Sequence, residues 1–364
     1  MKNTAARPLA IFLTSTAILV LLGLAVMTNA SIPLSQANHG ESFYYLKHQI
    51  IYGMFLGLLA FFFFSRFNHS HLKKMALPFL FLAVILLILV FVPQVGYEAG
   101  GAKRWISIFG FSFQPSEFAK LAIIVYLASW LESKKDKIKK PVMLVPFLFW
   151  LVLIGGLVLI EPDLGTFLVI CAIALSMYFS AGAKIKTLAG LFLIGVVILT
   201  TLIVAEPYRR QRLTSFLNPG SDVAGQGYQL NQALITIGSG GVFGLGLGKG
   251  VQKYSYLPET IGDSVFAIVS EELGFVGAVS VLLLYLVWIL SGLKIASTAG
   301  HVYGGYLVLG VIIWIGLQTF INTLGILGLI PFTGIPLPFI SYGGSALAIE
   351  LAAVGIVANV AKRK

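Results

Sequence analysis

Apolar runs of helical length follow one another along almost the whole chain, separated by mostly short polar connections. A helix needs about 20 apolar residues to cross a bilayer. Runs close to that length cover Leu9 to Thr28, Leu46 to Phe64, Met75 to Val92, Phe113 to Leu131 and Pro141 to Ile160. Five more cover Leu164 to Phe179, Ile185 to Ala205, Ser264 to Leu290, Val302 to Leu329 and Ser345 to Ala361. The eighth and ninth are long enough to tilt or to project beyond the bilayer. The pattern predicts an all-α integral membrane protein of about ten transmembrane helices, with residues 1–364 forming one polytopic domain.

Composition agrees with the pattern. The chain is 58% hydrophobic and 11% charged, with a mean hydropathy of +0.93. Lipid must replace water over most of such a surface. The first run is too long for the apolar part of a cleaved signal sequence and opens a series of spans, so it reads as a retained helix. Cys171, the only cysteine, lies inside an apolar run, which leaves no disulfide framework to infer.

A net charge of +11 could point to nucleic acid or to anionic lipid, and the placement of the cations decides. Lys2 and Arg7 precede the first run, and Arg66, Lys73 and Lys74 follow the second. Lys134, Lys135, Lys137, Lys139 and Lys140 follow the fourth, Lys184 and Lys186 the sixth, Lys294 the eighth, and Lys362, Arg363 and Lys364 the last. Cations in alternate connections are the positive-inside signature, which puts both termini in the cytoplasm. The expected surroundings are membrane lipids, and nucleic acid is not an expected partner.

Two connections expected on the outer face stand out. The seventh, about residues 206–263, is much the longest and carries Arg209, Arg210, Arg212, Lys249 and Lys253. Long loops escape the positive-inside rule, so these cations need another explanation. The ninth, Pro331 to Gly344, is rich in proline and glycine, too irregular to sit bare in lipid. It should be buried against protein or line a cavity.

Candidate chemistry gathers at the mouth of the eighth run, in Tyr256-Leu257-Pro258-Glu259-Thr260-Ile261-Gly262-Asp263-Ser264. Asp263 there would be partly screened from water, where desolvation raises a carboxyl's pKa and makes it a better base. Asp263 or Thr260 could equally cap the helix, and spacing leaves both readings open. Glu271, Glu272 and Glu350 lie at membrane depth, where ionisable groups face a bundle interior or a wet cavity. Glu117 and Lys120, three apart on one helical face, read as a structural ion pair, and Asp163 after Glu161 and Pro162 reads as a helix cap.

The run Gly238 to Gly250 looks like a phosphate cradle but fails as one: Phe243 stands where a P-loop's first glycine belongs, and Gly250 replaces the Ser or Thr after the lysine. What remains is glycine-rich backbone with Lys249 and Lys253, either a source of N–H groups for an anion or a loop packed on the membrane. His39, His48, His69, His71 and His301 lack metal-ligand spacing, and no G-x-S-x-G nucleophile elbow occurs. An acid/base carboxylate beside basic residues is the chemistry that these residues support, with no cofactor evident.

At these same residues the chain resembles the SEDS family of peptidoglycan polymerases, whose members include FtsW, RodA and SpoVE. The landmarks are Gly101 to Ile106, Gln114 to Lys120, Glu161 to Thr166, Gly225 to Gln229 with Gln232 and Ala233, Tyr256 to Ala267, Glu271 to Gly274, and Leu337 to Ser345. The end of the first span and the stretch Glu259 to Ala278 are more similar to FtsW or SpoVE than to RodA.

The resemblance implies a SEDS-type fold and an extracytoplasmic glycosyltransferase that polymerises lipid II, a disaccharide-pentapeptide on undecaprenyl pyrophosphate, into β-1,4 glycan. It implies a class B penicillin-binding protein as partner, and an essential aspartate at the position of Asp263. Many members carry His-Thr immediately before that aspartate, where this chain has Ile261 and Gly262. The corresponding substrate-binding candidates are Arg104, Arg209, Arg210, Arg212, Lys249, Lys253, Glu259 and Ser341, and a divalent cation, Mg2+ or Mn2+, is compatible with a pyrophosphate leaving group. In cell division the chain would act at the septum; the same activity in elongation is the nearest alternative. A precursor flippase or transporter would also use intramembrane carboxylates, but such proteins hold their polar groups near the midplane and repeat their halves. A non-catalytic scaffold is compatible with the enzyme.

Overall fold

In the computed structural model the described residues are 6–99, 102–108, 111–218, 226–253, 257 and 259–363. The landmark positions Gly101, Gly225, Tyr256 and Pro258 lie outside them, as do Lys2 and Lys364. The helices are α1 (Ala6–Ala30), α2 (Tyr44–Arg66), α3 (Ala76–Leu89), α4 (Pro115–Lys134), α5 (Pro141–Ile160) and α6 (Leu164–Ser180). They continue as α7 (Ile185–Ala205), α8 (Pro207–Leu217), α9 (Gln226–Ser239), α10 (Val265–Ser297), α11 (Val302–Ile326) and α12 (Gly344–Lys362). Short helices Ile32–His39 and His69–Lys74 decorate the connections.

Each apolar run read from the sequence is a helix, with ends that differ by a few residues. Among the described residues seven, namely α1, α2, α5, α7, α10, α11 and α12, are long and apolar enough to cross a membrane. α3 and α6 are apolar but shorter, and α4 is long but carries Glu117, Lys120, Glu132 and Lys134. The chain is a multi-pass membrane protein. α12 lies along α2, α1 along α10, and α11 against α4, α6 and α10. α7 buries none of its residues and touches the bundle through α6 and α8.

The connection from α3 to α4 is a three-stranded antiparallel sheet, β1 (Gly96–Ala99), β2 (Ala102–Ile108) and β3 (Phe111–Phe113). Its register sets Tyr97 opposite Trp105 and Ile106 opposite Phe113, and so fixes Arg104 near the turn.

The segment between α11 and α12 re-enters the bundle, as its composition demanded: Ile335, Leu337, Phe339 and Ile340 are buried. Its backbone groups cannot reach water there and are paired instead. Phe339 N donates to Glu350 Oε2 at 2.8 Å, Leu337 N to Ser341 Oγ at 2.8 Å, and Gln318 Nε2 to Pro336 O at 3.0 Å. The Tyr285 hydroxyl donates to Pro338 O. Glycine at position 23 of α1 permits the approach, since a Cβ there would stand 2.7 Å from Ile340 Cα. Glu117 and Lys120 are buried and paired at 2.8 Å, with Lys120 also donating to Gln318 Oε1 at 2.9 Å, so the expected ion pair also braces the residue that holds Pro336.

α10 is broken at Gly274, where φ is 68° and ψ −170°. A break frees main-chain groups on both sides, and buried ones must find partners. The glycine-rich segment supplies them: Leu245 N and Gly246 N donate to the carbonyls of Glu271 and Glu272, both at 3.0 Å. Phe275 N and Val276 N donate to Gly241 O and Val242 O at 2.9 and 3.1 Å. A Cβ on Gly274 would lie 2.2 Å from Gly244 N, so the splice requires glycine. The anion-cradle reading of this run is thereby corrected at Leu245 and Gly246, whose N–H groups are committed to α10.

A candidate active site between a lipid-facing cleft and a buried loop

Asp263 sits on the turn that leads into α10, and its main chain is held from two sides. Asn322 of α11 donates through Nδ2 to Asp263 O and to Ile335 O, both at 2.8 Å, and so ties the turn to the re-entrant segment. Ser341 Oγ donates to Gly262 O at 2.6 Å, and Tyr342 N to Ile261 O at 2.7 Å. The helix cap of α10 is Ser264, whose side chain makes no capping bond, and neither Asp263 nor Thr260 holds that position. The carboxylate instead has Gln229 Nε2 of α9 at 3.5 Å from Oδ1, with the same nitrogen 3.4 Å from Ser264 Oγ.

Burial, and after it the neighbouring Glu259 carboxylate, raise the pKa of Asp263 to about 7 against the opposing pull of Arg212 and the hydrogen bonds of its own main chain and Ser264. A carboxyl with that pKa is an effective proton acceptor at neutral pH. Gly334 separates acid from cation: a Cβ on it would lie 3.5 Å from Asp263 Oδ2 and 3.9 Å from Arg212 Nη2.

Gly334 and Arg212 also line a cleft of about 910 Å³ that opens between α5, α6, α7 and α11. Its lining combines apolar Leu168, Leu199, Ile203 and Ile321 with Arg104, Arg209 and Arg212 and the acidic Asp163 and Glu206. Arg104 is fixed by donating to the carbonyls of Glu161 at 3.1 Å and Pro162 at 2.6 Å. Arg209 donates to Leu202 O at 3.2 Å and Arg212 to Phe332 O at 3.4 Å. The Glu161 carboxyl is pushed up to about 9, first by burial and then by Asp163, against the pull of Arg104. It is therefore neutral at pH 7 and does not cancel the Arg104 charge. Asp163 caps α6, accepting from Thr166 N at 2.9 Å and Thr166 Oγ1 at 2.8 Å, as its spacing suggested.

The structure does not gather all of the candidates that the sequence offers, and the residues left outside have physical reasons. Lys253 is buried and paired with Glu272 at 3.0 Å, also donating to Gly248 O at 2.8 Å, so it is a brace of the α10 break. Ser341 is buried and spends its hydroxyl on main chain. Lys249 is exposed on the glycine-rich segment, which packs near Asn29 at the end of α1, and Arg210 is exposed on α8; neither lines the cleft. Glu259 is exposed beside Asp263. Asn322 escapes sequence reasoning, and Gln229 enters it only as the end of the landmark Gly225 to Gln229, because an amide gives no electrostatic signal in a chain and only its position in the fold reveals its role. Among the described residues no three His, Cys, Asp or Glu side chains form a metal-ligand group. A divalent ion beside Asp263 and Glu259 would have to complete its ligands from a bound phosphate.

Residues 9–364 match the family described as cell cycle proteins FtsW, RodA and SpoVE. The chain belongs to this family. Stage V sporulation protein E of Bacillus subtilis (strain 168) is 39% identical over 353 residues, 95% of each chain. A probable peptidoglycan glycosyltransferase FtsW of Geobacter sp. (strain M18) is 37% identical over 359 residues, 97% of this chain and 96% of the relative. Among solved structures, a chain of a peptidoglycan synthase complex that coordinates polymerization and crosslinking superposes with a TM-score of 0.79 at 28% identity, covering 96% of both. The rod shape determining protein RodA of Thermus thermophilus superposes with a TM-score of 0.71 at 28% identity, covering 96% of this chain and 95% of that one. Ile261 and Gly262, immediately before the aspartate, accept main-chain and side-chain hydrogen bonds through their carbonyls, and the Ile261 side chain is buried in the core.

Proposed function

We propose that this protein is a peptidoglycan glycosyltransferase that polymerises lipid II into β-1,4 glycan on the outer face of the cytoplasmic membrane, with both termini in the cytoplasm. The observation that carries the reading is a cleft lined by apolar side chains and by Arg104, Arg209 and Arg212, with Asp263 next to Gly334, which also lines it. An undecaprenyl chain fits the apolar walls, and a pyrophosphate fits the arginines, which present planar donors to phosphate oxygens.

In the reaction Asp263 accepts the proton of the acceptor sugar's hydroxyl as that oxygen forms its bond to the donor's anomeric carbon. The bond from that carbon to the pyrophosphate oxygen breaks, and the leaving group keeps the electron pair. Arg212, Arg209 and Arg104 stabilise the charge that develops there. Asn322, Ser341 and the re-entrant segment keep the aspartate in register with the cleft.

The names of the FtsW relatives support a role in division, hence at the septum. The synthase complex supports a cross-linking partner, which we assign as a class B penicillin-binding protein. The test is polymerisation of lipid II by the purified protein in vesicles, alone and with that partner. Wild type should make glycan and Asp263→Asn about 10² to 10⁴ less. Polymer from the Asn variant at the wild-type rate would remove the mechanism.

A further inference from the structure

A polymerase must hold two sugar chains against one base, and the cleft accounts for one lipid-linked partner. The re-entrant segment reaches the cleft through Gly334, and through Tyr342, eight residues on, it reaches a different surface. There Tyr342 packs edge-on against Tyr45, with centroids 5.2 Å apart, and its hydroxyl stands 3.0 Å from His48 Nδ1. His48 lies 4.5 Å from Tyr52, and Tyr44 stacks on His39 at 3.6 Å with a 15° tilt. These six rings come from the connection after α1, the start of α2 and the re-entrant segment. His39 and Tyr44 are exposed, Tyr44 by 37%.

An interfacial belt would set single aromatic residues around the bundle at headgroup level. Here the rings converge on one place, and amide and hydroxyl groups border them: Asn38 Nδ2 donates to the Tyr45 hydroxyl at 3.1 Å, and Gln36 Nε2 to Ser42 Oγ at 3.1 Å. Ring faces with polar groups at their margin match a pyranose, whose C–H face is apolar and whose rim bears hydroxyl and acetamido groups. α2 beneath them turns through a π-helical stretch, Gln49–Phe55, of the sort that recurs at functional sites. Gln49 from that stretch accepts from Gly343 N at 3.0 Å, which fastens the ring cluster to the segment that holds Asp263.

We propose that this aromatic cluster is a binding platform for the β-linked N-acetylhexosamine glycan strand, on a route to Asp263 separate from the lipid cleft. The proposal rests on the glycosyltransferase reading. Tyr342 is the joint, since its ring belongs to the platform while its N–H holds Ile261, two residues before the base.

The test is binding of a soluble β-1,4 N-acetylglucosamine hexamer to the full-length protein in nanodiscs, measured alongside lipid II polymerisation. Wild type and Asp263→Asn should bind the hexamer equally. Tyr44→Ala and His39→Ala should each weaken binding about two- to tenfold, the loss expected for one ring contact, and shorten the glycan product. Tyr44→Phe, which keeps the ring, should retain binding and guards against a folding artefact. Equal affinity in wild type and both Ala variants, or no binding by an actively polymerising wild type, would overturn the platform and leave the enzyme reading intact. Ring-dependent binding by a wild-type protein that makes no glycan would uphold the platform and sink the enzyme reading.

Discussion

The sharpest consequence of the site is a pH profile whose midpoint should move in opposite directions on changing two neighbours of Asp263. The carboxylate must be deprotonated to accept a proton, and its pKa is about 7. Polymerisation should therefore rise with pH to a plateau above 7 and fall about tenfold per pH unit well below it. Arg212 stabilises the charged form, so Arg212→Gln should push the midpoint up, whereas Glu259→Gln removes a repelling carboxylate and should pull it down. The contacts of Gly334 place Arg212 Nη2 within about 7 Å of Asp263 Oδ2. At that distance a charge pair is worth about 2 kcal/mol at an effective dielectric of 20 and about 0.6 kcal/mol in water. Both residues are only partly buried by surface area, so screening takes part of the upper figure, and a shift of about 0.5 to 1.5 pH units is expected for Arg212→Gln. The assay is the initial rate of lipid II consumption in vesicles from pH 5 to 9, with binding saturated so that lost phosphate affinity does not enter. A flat profile in the wild type, or a midpoint that falls in Arg212→Gln, would refute Asp263 as the base.

Other changes separate support from chemistry. Lys253→Met strands Glu272 in a buried site and should cost about 3 to 5 kcal/mol of stability, read as a lower Tm, while the KM for lipid II measured on the folded fraction stays at the wild-type value. Gly334→Ala puts a methyl between acid and cation at a φ of +71° and should cost roughly 1 to 2 kcal/mol in backbone strain while lowering kcat; wild-type turnover would show the gap to be inessential. Glu161→Gln mimics the neutral carboxyl and should leave turnover at pH 7 unaltered. Because the folded state holds that proton up to about 9 against an ordinary 4.5, the wild type loses stability as pH rises between those values, and the Gln variant should gain over it across that window in thermal melts. An extracytoplasmic reporter should be active when fused after Leu217 and inactive after Lys137; the same result at both sites would overturn the orientation.

The helices were legible because one physical demand, backbone hydrogen bonding inside lipid, imposes one signal, the long apolar run. The bounds of α7, which buries none of its residues, coincide with its run, whereas α10 extends to Ser297, seven residues past the expected Leu290. The sheet that carries Arg104 left no comparable trace, because its strands are three to seven residues long and sit in a connection. The break in α10 was equally hidden: Gly274 reads as an ordinary membrane glycine until the segment 241–246 is seen to take its freed main-chain groups.

The same contrast separates the candidate cations that the fold brings to the cleft from those that it does not. Charge in the long loop raised the expectation of an anionic ligand, but sequence could not say which cations would meet it. Lys253 and Arg212 look alike in the chain, and the fold separates them by what each finds nearby. Lys253 meets a buried carboxylate and is consumed by it, so its charge is cancelled inside the protein. Arg212 meets Phe332 O and a glycine, and Asp263 beyond the glycine is held near neutrality by burial and Glu259. The Arg212 guanidinium lines the cleft, and Asp263, whose pKa is about 7, stands on the other side of Gly334. In the proposed reaction, protonation of Asp263 by the acceptor hydroxyl removes its negative charge just as the pyrophosphate acquires its own. Base and cation are thus coupled: the proton that Asp263 takes strengthens the hold of Arg212 on the leaving group, and substitution of either should lower the rate through the other.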